Sequence, residues 1–138
     1  MTTFYVAFDE QDFPTHAFES LDNATVNNQS PERSVQQVEV ENHTDQIELY
    51  YFDYDTTEQN EIVTIYRMCS NKEELIGVME SLGLMTNGNL ELPDDVGLDA
   101  LNPNNNINIA SITDDYLRSG FYYRNGQRTN IIKLISIL

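Results

Sequence analysis

The chain has no tryptophan, a single cysteine, and only seven lysine or arginine residues against 23 aspartate or glutamate in 138 positions. Each shortage excludes something. One thiol, Cys69, cannot form an intramolecular disulfide, which points to a reducing compartment. No apolar run approaches the roughly 18 residues of a membrane-spanning helix. The opening MTTFYVAFDEQD has neither the basic nor the apolar segment of a secretory signal, so a cytoplasmic location is expected. Scarce cations argue against nucleic acid as a direct ligand, because its phosphates are neutralised by Lys and Arg, and an anionic membrane surface is disfavoured for the same reason. The motifs G-x-S-x-G, the P-loop, G-x-G-x-x-G and H-E-x-x-H are all absent. No cofactor is expected, and the sequence favours binding over catalysis.

What is present is negative charge, unevenly spread. The formal net charge is −16. Residues 1–66 hold 14 acids and one base, Arg33, whereas residues 116–138 hold no acid and four bases, Arg118, Arg124, Arg128 and Lys133. Such an imbalance opposes compaction and speaks about partners rather than fold. It suits a basic protein or a divalent cation. The basic C-terminal stretch reads as a counter-charge to the acidic part, or as a surface for an acidic partner or a second copy of the chain.

At 138 residues the chain is long enough for one domain with a real core, and residues 1–138 read as a single domain. Thr3–Phe8 is β-branched and aromatic and predicts a strand. His16–Leu21 (HAFESL), after Pro14, suggests a short helix, and Asn23–Arg33 a mobile polar loop. Ser34–Asp55 (SVQQVEVENHTDQIELYYFDYD) reads as a β-hairpin turning at Asn42–Asp45, with Val40 opposite Ile47 and Val38 opposite Leu49. That register places Glu39 opposite Glu48, a destabilising like-charge pair. It also puts Asp53 and Asp55 on the core parity, which predicts a bulge near Tyr50-Tyr51 or a strand end at Phe52. Glu61–Cys69 is apolar on both parities, as in a central strand covered on both faces. Ser70-Asn71-Lys72-Glu73 is a capping box, and Leu75, Val78, Met79 and Leu82 follow at helical spacing with Gly83 to close, so a helix is expected over about 71–82. Pro93–Leu101 suggests another short helix, Ile107–Ile112 a strand, and Thr113–Ser119 a helical turn. Asn125-Gly126 should turn a final hairpin whose apolar last strand belongs inside the sheet. The expected fold class is α+β: a mainly antiparallel β-sheet with one well-defined helix packed on it and long irregular loops.

No metal site is expected. Counting a calcium loop from Asp53 places Glu58 where glycine is needed and Thr64 where glutamate is needed. Asp94, Asp95 and Asp99 lack alternating ligand spacing, and Cys69, His16 and His43 lack zinc spacing. Cys69 precedes a helix N-terminus, which can activate a thiol, but its apolar strand makes it a core residue first.

The acidic stretch offers a different chemistry. Carboxylates at alternate strand positions recur about every 6.7 Å, against about one charge per 1.7 Å of duplex axis over both strands. Two acidic strands side by side would therefore present charge on a scale a phosphate-binding groove can read. Tyrosines among them suit a protein contact. In composition the chain resembles the small acidic inhibitors with which phages block restriction or CRISPR nucleases. The expectation is an inhibitor that binds a basic nucleic-acid enzyme by mimicking nucleic-acid charge, in the host cell cytoplasm if phage-encoded. Its expected contact residues are Glu39, Glu41, Glu48, Tyr50, Asp53, Tyr54 and Asp55. The alternatives are an immunity protein neutralising a basic nuclease toxin, a self-assembling or virion protein, and a calcium binder.

Overall fold

A computed structural model describes residues 1–93 and 106–138. In chain order the elements are β1 (Thr2–Phe8), β2 (Pro14–Phe18), α1 (Leu21–Asn27), β3 (Gln36–Val40), β4 (Glu48–Glu58), β5 (Glu61–Cys69), α2 (Lys72–Ser81), β6 (Asn89–Glu91), β7 (Asn106–Asn108), a 3₁₀ turn (Ile109–Ser111), α3 (Asp114–Ser119), β8 (Phe121–Asn125) and β9 (Arg128–Ile137). Seven strands form one sheet in the order β3-β1-β2-β9-β4-β5, with β8 also paired to β9, and β6 and β7 form a separate ribbon. The protein is mostly β-sheet with a few short helices. The sheet is mixed, because β2 and β9 run parallel, and three α-helices rather than one are present among the described residues.

The sheet curls until its two end strands, β3 and β5, lie alongside one another without a backbone ladder. The Ser70 hydroxyl spans this seam and donates to the Glu41 carbonyl at 3.2 Å. The curled interior is filled by Phe4, Val6 and Phe8 of β1, Val38 and Val40 of β3, Leu49 and Tyr51 of β4, Met68 of β5, and Ile131 and Ile135 of β9. A second core lies outside the curl, where Phe52, Ile132 and Leu134 meet Leu75 and Met79 of α2, Leu117 of α3, and Phe121 and Tyr123 of β8. A small third cluster is closed by Ala24 of α1 over Ala7 and Phe18.

The expected hairpin over Ser34–Asp55 does not form. β3 pairs instead with β1, Val38 facing Phe4 and Glu39 facing Thr3, while β4 pairs with β5 and β9. Ile47, assigned to the core, is 77% exposed. The physical reason lies in the like-charge pair that the hairpin required. In the observed register Glu39 stands opposite a hydroxyl donor, Thr3, and Glu48 opposite Ser136, so the Glu39–Glu48 repulsion is removed. Neither the expected bulge near Tyr50-Tyr51 nor a strand end at Phe52 occurs: β4 runs on to Glu58 and stays in unbroken register with β5 from Tyr50↔Cys69 to Glu58↔Glu61. β5, expected to be central, is an end strand of the sheet.

Other expectations fall where turn chemistry decides. His16–Leu21 is not helical; Pro14–Phe18 is strand β2, and the helix begins afterwards, capped by the Ser20 hydroxyl accepting from the Asn23 amide. The Asn23–Arg33 stretch is thus helix α1 followed by a tied loop. The Asn28 side chain accepts from the Phe8 amide at 2.8 Å and donates to the Arg33 carbonyl at 2.9 Å. α2 forms as expected over Lys72–Ser81, although its cap is Asn71, whose side chain accepts from the Glu74 amide. Gly83, at φ +75°, ends it as a C′ glycine does, with the next amide, Leu84, donating to Met79. Ile107–Ile112 is split into β7 and the 3₁₀ turn. The final hairpin turns one residue later than expected, at Gly126-Gln127 with only Gly126 at positive φ, and β9 does lie inside the sheet. The helix expected over Pro93–Leu101 and the Asp94, Asp95, Asp99 cluster fall outside the described residues, apart from Pro93 itself.

Candidate functional site

The residues expected to meet a partner divide into two groups, one turned inward and one outward. Asp53 is fully buried. Its Oδ1 accepts from the Asn130 side chain and the Ile131 amide, both at 3.0 Å, and its Oδ2 from the Tyr51 hydroxyl at 2.6 Å and from Arg33 at 3.4 Å. The Arg33 guanidinium also lies over the rings of Phe8 and Tyr66, at 5.7 and 5.8 Å from their centroids. Burial works against the Arg33 charge, but Tyr66, Asp53 and Tyr51 outweigh it and raise its pKa. Tyr51 is held well above the ordinary tyrosine value, first by burial and then by the Asp53 charge. The Tyr123 hydroxyl donates to the Asp53 carbonyl. No buried side-chain nitrogen or oxygen at this hub lacks a hydrogen-bond partner, which makes it a structural centre.

Asp55 continues the same network. It accepts from Thr64 at 2.8 Å and Asn130 at 3.2 Å, with Arg128 at 4.0 Å. Glu48 is clasped by Arg118 through two bonds of 2.6 and 2.8 Å, which depresses its pKa. Tyr50 donates to Asp114 at 2.9 Å, and its pKa is pushed up to about 12 by burial and that bond. Tyr54 is half-buried and stacked on Phe52. These five side chains are engaged within the fold.

Glu39 and Glu41 are exposed. The Glu39 carboxylate accepts from the Thr3 hydroxyl at 2.8 and 2.9 Å and from the Gln37 amide at 3.2 Å. Neutral donors therefore fix its direction. Beside it, on the outer side of the β3–β5 seam, is a cleft of about 470 Å³ lined by Glu39, Glu41, Glu74, Arg67, Cys69 and Val78 among others. No cation lies within ion-pair distance of Glu39, Glu41 or Glu74 among the described residues. The sequence reading missed Glu74 and Arg67, because only the curl of the sheet brings α2 and β5 beside β3. Cys69 at the floor is 1% exposed, and burial, then Glu74, push its thiol up to about 12, so it is held protonated.

Among the described residues, six of the seven cations, all but Arg67, have partners within the fold. Arg33 meets Asp53, Lys72 meets Asp114, Arg118 meets Glu48 and Asp115, Arg124 meets Glu91, and Arg128 meets Asp55. Lys133 donates to the Pro14 carbonyl at 2.9 Å. The basic C-terminal stretch is thus a counter-charge to the chain's own acids. Glu10, Glu19, Asp22, Glu32, Asp45, Glu58, Glu61, Glu73 and Glu80 remain exposed beside Glu39 and Glu41.

In comparisons with protein-family models, curated proteins and solved structures, nothing matches this chain. No group of His, Cys, Asp or Glu suited to a metal ion occurs among the described residues, nor does any helix there have the length and apolarity to cross a membrane.

Proposed function

We propose that this protein is a small acidic inhibitor that binds a basic nucleic-acid enzyme and occupies its phosphate-binding groove, in the manner of phage anti-restriction or anti-CRISPR proteins. The observation that carries the reading is the one-sided use of charge. Five of the seven cations are drawn into pairs with Asp53, Glu48, Asp55, Asp114 and Glu91, and the exposed surface is left with an excess of carboxylates. Excess negative charge on a folded surface steers association with a basic groove and makes it salt-dependent.

The seven expected contact residues reduce to Glu39 and Glu41, since the others already have partners in the fold. Capture from lysates of candidate host bacteria should retain a nucleic-acid enzyme at low salt and release it at high salt. The captured enzyme's DNA or guide-RNA binding should then be competed by the protein. Reversing Glu39→Lys and Glu41→Lys should weaken that competition, whereas Glu48→Gln, which loosens only an internal pair, should leave it nearly intact. A folded double variant that competes as well as the parent would overturn the assignment.

A further inference from the structure

At the β3–β5 seam the two end strands of the main sheet adjoin without pairing, and it coincides with carboxylates that have no ion pair among the described residues. The free edges of β3 and β5 carry backbone groups that no neighbouring strand satisfies. Over this seam the cleft of about 470 Å³ has an apolar floor from Cys69 and Val78, on the outer face of the sheet. Its rim is Glu39 and Glu41 on one side and Glu74 of α2 on the other, with Arg67 and Met1, which bears the α-amino group, also in the lining.

We propose that this cleft is the docking site for an extended basic segment of the partner, with Lys or Arg at alternating positions. The inference rests on the inhibitor reading and narrows it to a surface and a peptide chemistry. Glu39 and Glu41 are two residues apart at the end of a strand, which spaces them by about 6.7 Å, the spacing of side chains i and i+2 in an extended peptide. A Lys-x-Lys segment laid along β3 therefore meets both carboxylates from one face. The stems of lysine and arginine are aliphatic and pack on Val78 and the other apolar atoms of the floor, while their heads reach the rim. Three carboxylates outnumber the Arg67 guanidinium and the Met1 amino group in the lining, so the cleft is net negative. Glu39 is already oriented by Thr3 and Gln37, so less ordering accompanies its capture of a cation. Arg67 in turn disfavours a segment with cations at every position.

The probe is a synthetic peptide of alternating Lys and Thr, compared with a peptide of the same composition whose lysines are contiguous. Binding is measured by calorimetry and mapped by amide chemical shifts. The alternating peptide should bind more tightly, with shifts concentrated at Gln37–Asn42, Arg67–Cys69 and α2. The variant Glu39→Gln/Glu41→Gln should weaken binding by about tenfold or more, as charge-assisted bonds do. Glu58→Gln/Glu61→Gln removes the same charge from the β4–β5 turn and should change it by less than about threefold, since exposed charges beyond a Debye length are screened. Equal losses in the two variants, equal binding of the two peptides, or shifts spread over the whole surface would each overturn the cleft. The two levels are separable. Peptide binding at the cleft without competition at any nucleic-acid enzyme would leave the cleft standing and remove the inhibitor reading. Competition insensitive to Glu39→Gln/Glu41→Gln would do the reverse.

Discussion

Asp53 accepts the phenolic hydrogen of Tyr51, two residues earlier on the same strand and the same face, at 2.6 Å. The pair lies fully inside the curled sheet, and Arg33, Asn130 and the Ile131 amide complete the shell around the carboxylate. β4, β9 and the α1–β3 loop are joined through this one group.

Removing it should therefore unfold more than a local contact. Asp53→Ala leaves the Arg33 charge and the Tyr51 hydroxyl without their partner in a buried site, and should cost about 3–5 kcal/mol. Asp53→Asn keeps the shape and one acceptor and should cost less, about 1–3 kcal/mol. Urea unfolding followed by far-UV circular dichroism measures both. An alanine variant within about 1 kcal/mol of the parent would contradict the hub role.

That hub shows how much of the protein was legible beforehand. Of the parity set Val38, Val40, Ile47 and Leu49, all but Ile47 are buried, and Asp53, on the parity of Leu49, is buried with them, so the conflict seen in the sequence was real. Its resolution was not a bulge but a set of partners from residues 20 to 78 positions away, which no local pattern carries. α2 was readable because capping, period and C′ glycine agree within 14 residues, 70–83. The Ser34–Asp55 hairpin failed because two alternating strands close in sequence say nothing about a third competitor, and β1 offered β3 a better neighbour than β4 did. Of the contact residues, Glu39 and Glu41 kept an outward place because Thr3 and Gln37 hold Glu39 without neutralising it, whereas Glu48 was claimed by an arginine 70 positions on.

The β4–β5 turn carries avoidable strain. Gln59 and Asn60 occupy φ +50° and +67°, the type I′ pattern, which favours Asn-Gly. Replacing the pair by Gln59→Asn with Asn60→Gly should raise stability by about 0.5–1 kcal/mol. A shift of the urea midpoint upward with unchanged slope is the expected result; a lower midpoint would show that the turn is held by something other than its backbone preference.

Alkaline pH should weaken the fold through groups that the fold keeps neutral. Tyr50 and Cys69 are both raised to about 12, from ordinary values of 10.0 and 9.0, and Tyr51 is also held well above its ordinary value, first by burial. A pKa raised in the folded state contributes stability fully below the unfolded value and loses it as pH climbs to the folded value. The loss should run from about pH 9 for the thiol and about pH 10 for the phenols up to about pH 12. Unfolding midpoints across that range test it. Alkylation of Cys69 at pH 8 gives an independent reading: it should be slow in the native protein and keep pace with unfolding as urea is added. Rapid native-state labelling would mean that the thiol is open.

The position of β9 bears on how the chain is made. β1, β2 and β3 can form one small antiparallel unit, and β4 with β5 another, as each emerges from the ribosome. Neither unit touches the other through a strand ladder. β9 joins them, pairing parallel with β2 on one side and antiparallel with β4 on the other. During synthesis the two halves therefore wait, edges bare, until β9 appears, and the contacts that join them span 80 to 88 positions of sequence in β4–β9 and about 120 in β2–β9. Strong self-repulsion of the acidic first half, before the basic final strands arrive, keeps those waiting edges from finding one another on neighbouring chains. The same charge that marks the finished surface thus serves as the nascent chain's own protection against aggregation.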